Sequence, residues 1–303
     1  MSRIDPRRRQ VRLLALTIGL LSLLVVAISA WLRLDAAGLG CSPWPDCYAR
    51  VLSGDPAPLH YGFARLLHRA VASTALILAI VLIWWTLRPQ PLQPAARYAI
   101  LLLLLMLLLS GLGFASADPR RALVGTLNIV GGLGLVTFSW RVAMAAGAVD
   151  ERQAPAVGRS LLLRAGVVAL TFAVLIGAWL GATYSAPACP TLPFCTADAW
   201  SPASALRALD PFRLPQAGAM PGDPGAVSLH LLHRGLAVLS FVLLGAYALF
   251  SRRPAARVVA ALLFVVGLLG MAAVGSGLNL WLVVLHGVAA ALLLGGVATL
   301  LRR

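Results

Sequence analysis

Two copies of Leu-Leu-His-Arg, at 66–69 and 231–234, put His68 and His233 at the opening of long apolar runs. A third histidine, His286, lies a turn or two inside another such run. An imidazole in a hydrocarbon environment is costly unless it has a partner or a ligand. A neutral imidazole can ligate a metal through one ring nitrogen. Two of them on facing helices at matched depth can hold a haem iron from both sides. His233 and His286 are the pair best placed for this. The alternative for each is a ring satisfied by a backbone carbonyl.

The elements that would carry these rings are membrane spans. Of 303 residues, 60% are hydrophobic and only 12% charged, which excludes an ordinary soluble domain and leaves no room for a separate one. Eight runs are near the roughly 20 residues a bilayer requires. They cover about 11–33, 66–87, 97–115, 122–143, 161–184, 228–250, 256–275 and 280–300. The net charge of +15 comes from arginines spread between these runs rather than gathered in one patch, so it does not indicate a nucleic-acid partner. Arginines at 3–12, 88–97, 152–164, 252–257 and 302–303 fall on one side, which the positive-inside rule makes cytoplasmic. Both termini are then cytoplasmic and the loops 34–65 and 185–227 lie outside; Arg120 and Arg121 depart from the pattern. The basic N-terminus followed by a run to Leu32 reads as an uncleaved first helix.

The predicted fold class is therefore all-α integral membrane, with eight helices as two tandem four-helix bundles, 1–150 and 151–303. The duplication rests on markers in each half. Cys41 and Cys47 follow the first span, and Cys189 and Cys195 follow the fifth, with five residues inside each pair. Pairs on outer loops are expected to be disulfides; thiol chemistry would favour a Cys-x-x-Cys spacing, which is absent. Aligning the fourth and eighth spans sets Asn128 opposite His286, so His68 faces an asparagine where His233 faces a histidine. An iron held by His68 would have an open or weak sixth position. Arg69 and Arg234 follow their histidines directly and could pair with haem propionates or simply extend to the interface. His230 shares a helix face with His233, its first-half counterpart is Arg65, and His60 reads as a loop residue.

These residues resemble the haem A synthase family of the cytochrome oxidase assembly pathway. The resemblance is carried by the eight spans in two halves, by Arg33-Leu34 and Gly38-Leu39-Gly40-Cys41 before Trp44-Pro45, and by the two His-Arg motifs. It implies a haem b between His233 and His286. It also implies haem O as a substrate near His68, oxidised at its C8 methyl, with haem O synthase or terminal oxidase assembly proteins as partners and a homo-oligomer as an open option. The chain departs from the family pattern where Asn128 replaces a histidine and Arg65 an acid, and its single glutamate, Glu151, lies in a predicted cytoplasmic loop. Two other readings stay open: a haem-binding assembly or electron-transfer protein without catalysis, and a membrane thiol oxidoreductase.

Overall fold

The computed structural model describes residues 5–36, 60–115, 122–147, 160–195, 200–211 and 222–301. Cys41, Cys47, Arg120, Arg121 and Glu151 lie outside the described residues. Within them the chain is all helical. The long helices are α1 (Pro6–Ala36), α2 (His60–Leu87), α3 (Ala95–Ala115), α4 (Ala122–Gly147), α5 (Leu161–Ala182), α7 (Pro224–Phe250), α8 (Pro254–Gly275) and α9 (Leu280–Leu300). A short α6 (Pro202–Ala208) and a 3₁₀ turn, Ala186–Ala188, lie between α5 and α7. All eight long helices are long and apolar enough to cross a bilayer. Large apolar side chains such as Leu20, Ile77, Leu108, Val238 and Phe264 face outward. This would be unfavourable in water and suits hydrocarbon.

The helices run past the apolar stretches that announce them. α2 begins at His60 rather than near 66, and α7 at Pro224 rather than near 228. Asp223 caps α7, its Oδ1 accepting the Ala226 N–H at 2.8 Å, and Pro224 supplies a pre-set φ in the first turn. His68 and His233 consequently sit about two turns inside their helices.

The two halves pack differently. In the first, α1 packs on α2 and α4, and α3 on α2 and α4, so the four helices close a ring. In the second, α7 packs on α5 and α8, and α8 on α9. The pair that would close that ring, α5 and α9, is not closely packed among the described residues. Glycines on α4 explain the tight first half. A Cβ at Gly131 would stand 2.5 Å from Leu109, at Gly134 2.9 Å from Leu105, and at Gly132 3.0 Å from Val26. With Asn128 aligned to His286, the second half has Ala289, Ala290 and Leu292 at these positions.

The halves meet along α4 and α9, flanked by α1 against α9 and α4 against α5. Near the end of α9 the seam is polar. Trp140 donates its indole N–H to Thr299 Oγ1 at 2.8 Å, and Arg141 donates to the Ala298 carbonyl at 2.8 Å. Arg141 also bonds the Tyr98 hydroxyl and lies over that ring, 4.5 Å from its centroid. One guanidinium face is thus covered by the ring and its N–H groups have acceptors, which suits a charge near the end of a span.

Candidate haem site

His233 on α7 and His286 on α9 belong to helices that do not pack directly on each other, with α8 packed on both. Each ring is fixed by a neighbouring helix. His233 Nδ1 is 2.8 Å from the carbonyl of Ala173 on α5, and His286 Nδ1 is 3.0 Å from the carbonyl of Val266 on α8. A carbonyl can only accept, so Nδ1 carries the proton in both rings. Nε2 is then the lone-pair nitrogen of each neutral imidazole, and among the described residues neither Nε2 has a protein partner. That is the tautomer an axial ligand requires, with its second nitrogen donating to a helix carbonyl.

Space for each ring comes from a glycine one turn beyond the accepting carbonyl. A Cβ at Gly177 would stand 2.8 Å from His233 Cε1, and one at Gly270 would stand 3.2 Å from His286 Cε1. A glycine here is justified by close approach alone, since both positions are helical. α9 is aimed at the site by its own start. Gly277 and Leu278 turn the chain at positive φ, and Asn279 Oδ1 then accepts from the N–H groups of Trp281 and Leu282 at 3.1 and 3.4 Å. The residues present therefore fit a haem held between two imidazoles.

The connection after α5 is folded down onto this half. His230 donates from Nε2 to the Ser185 carbonyl at 2.9 Å, so its ring serves the loop. Cys189 and Cys195 form a disulfide. Arg234 reaches the loop it closes, donating to the carbonyls of Thr191 at 2.8 Å, Pro193 at 3.1 Å and Cys189 at 3.1 Å. Three of its five N–H donors are spent on this loop rather than on a ligand. α6 is held by Trp179, whose indole donates to the Ala208 carbonyl at 2.9 Å, and by Ser228, whose Oγ accepts the Ser201 N–H at 3.0 Å. A backbone carbonyl was the expected alternative partner of each ring, and both rings have one, on residues the sequence did not single out; α6 was not expected. Ser201-Pro202, with the serine accepting from the Ser204 N–H, was the available signal for the helix.

The first-half residues are placed otherwise. His68 is half-buried and has no hydrogen-bond partner among the described residues, while Arg65, Arg69 and Asn128 are exposed. On α1, Arg33 lies near Tyr184, and its buried Nε has no hydrogen-bond partner among the described residues.

Eight long apolar helices define a multi-pass helical membrane protein, and two of its histidines are each anchored through Nδ1 to a helix carbonyl. The chain belongs to the COX15-CtaA family of cytochrome oxidase assembly proteins, whose family model matches residues 62–298. It is similar to a heme A synthase of Shewanella oneidensis, 28% identical over 312 residues that cover 90% of each chain. It is also similar to a heme A synthase of Shouchella clausii, 26% identical over 231 residues, which are 73% of this chain and 69% of the relative.

Proposed function

We propose that this protein is a haem A synthase-type oxidoreductase of a bacterial-type inner membrane, making haem A for a terminal cytochrome oxidase. His233 and His286 would hold a haem b, which would supply electron transfer when bound. The observation that carries this is the pair of Nδ1-anchored imidazoles with both Nε2 atoms available. Names of the relatives supply the reaction. The first half, near His68, takes haem O for oxidation of its C8 methyl. Both termini are cytoplasmic and the cysteine loops lie outside, because the arginine-rich connections alternate with the cysteine-bearing ones.

This chain's residues divide the work. Ala173 and Val266 hold the protons of Nδ1 in place and so keep Nε2 basic. Arg234, His230 and Trp179 tie the outer connection and α6 to the same half. Protein purified with its haem should show one low-spin haem per chain in a reduced-minus-oxidised spectrum. That signal should vanish in His286→Ala and survive in His68→Ala. Cells co-expressing a haem O synthase should accumulate haem A or a hydroxylated precursor in extracted pigments.

A second reading keeps the haem without the catalysis. The closed first half and the exposed Asn128 and Arg65 favour it. Pigment extracts holding only haem O, beside an intact low-spin haem, would select it.

A further inference from the structure

Aligning the two halves on their strongest local repeats exposes a paired substitution. Ile28-Ser29-Ala30-Trp31-Leu32 on α1 repeats as Ile176-Gly177-Ala178-Trp179-Leu180 on α5, at the same spacing as the cysteine pairs. Pro94-Ala95-Ala96-Arg97 before and in α3 repeats as Pro254-Ala255-Ala256-Arg257 before and in α8. In the first register Ser29 stands where Gly177 is. In the second, Ser110 stands where Gly270 is, at the same distance beyond the arginine. Both glycines that make room for a ligand imidazole in the second half are thus serines in the first. Two independent helices carry the same change.

The distances say what the change does. At Gly177 a Cβ would come 2.8 Å from His233 Cε1 and 3.1 Å from its Nδ1. The ring is held there by the Ala173 carbonyl, so it cannot move off without losing that hydrogen bond. At Gly270 the corresponding approaches are 3.2 and 3.3 Å, and the His286 ring would have to give by a few tenths of an ångström. A serine adds a hydroxyl to that Cβ. It can also bond the carbonyl one turn back in its own helix, the very acceptor the imidazole would use. The same seat cannot form on α1 or α3.

We propose that a helix carbonyl followed four residues later by glycine is the element that decides which half of this protein takes a bis-imidazole haem, with Gly177 and Gly270 as its positioning residues and Ser29 and Ser110 excluding that mode from the first half. The proposal rests on the haem reading of His233 and His286. It assigns the first half a porphyrin held by no imidazole pair, and it makes the asymmetry a matter of two seats as well as of Asn128.

The test uses purified full-length protein and free haem b, read by the low-spin spectrum and by titrated affinity. Gly177→Ala should weaken haem binding on the order of 10–100-fold, as loss of a ligand's outer partner does, and Gly270→Ala should weaken it less. Gly267→Ala lies on the same α8 in open space, and Gly181→Ala meets Ile129 only at an ordinary 3.5 Å. Both controls should bind haem as the parent does, and they separate a lost seat from a damaged helix. In the converse arm, Asn128→His alone should leave one low-spin haem per chain. Asn128→His with Ser29→Gly and Ser110→Gly should gain a second. The proposal is overturned if Gly177→Ala keeps the parent affinity, or if Asn128→His alone gains the second haem. A parent protein with no low-spin haem, or one indifferent to His286→Ala, would instead sink the underlying haem reading.

Discussion

The two halves share a plan and differ in how they close. In the first, small residues on α4 let α1 and α3 come in until Leu105, Leu109 and Val26 fill the space against it. In the second, Ala289, Ala290 and Leu292 occupy those positions, and α5 and α9 do not close the ring. A ring left open on one side needs partners for the polar groups within it. The second half has those partners in the carbonyls of Ala173 and Val266. The first has an exposed asparagine and an imidazole unpartnered among the described residues.

Three substitutions probe this contrast, from the largest expected effect to the smallest. Gly131→Val should force α3 off α4 and destabilise the first half by about 1–3 kcal/mol, the usual cost of overpacking. Thermal unfolding in detergent should show the loss while the low-spin haem spectrum stays as it was. If the haem disappears as well, the halves are not independent and the comparison breaks. Arg234→Ala should cost about 1–2 kcal/mol, discounted from charge-assisted values because the side chain is only partly buried. The same change at exposed Arg69 should cost little in the described structure. Protease sensitivity of the Cys189–Cys195 loop is the direct measurement, and equal sensitivity in both variants would contradict the assignment. Trp140→Phe removes one neutral hydrogen bond across the seam, worth about 1 kcal/mol. It should lower the melting temperature slightly without changing haem content.

Much of this fold is legible before any coordinates. Each span is an apolar run bounded by arginine, proline or glycine, and membrane helices need only length and hydropathy to be seen. Their ends are less legible. α7 extends four residues ahead of its expected start because Asp223 caps the helix and Pro224 opens its first turn. Hydropathy cannot register that extension. The histidines could be singled out from their places in apolar runs, and a backbone carbonyl named as the alternative partner of each. Which carbonyl each ring meets could not, since an acceptor on another helix leaves no mark in the sequence. Gly177 and Gly270 did leave one, opposite Ser29 and Ser110, but it becomes readable only once an imidazole is known to rest against each glycine.

The seam between the halves has a further consequence for how the molecule is made. Trp140 and Arg141 emerge early, yet Thr299 and Ala298, their partners on α9, lie 159 and 157 residues further along the chain. Until the last helix inserts, an indole N–H and part of a guanidinium are left without the groups that satisfy them. A chain released short of its final helix would carry those bare donors in the bilayer. The clasp can fasten only when the last helix is in place, so it ties the fourth helix to the end of the chain.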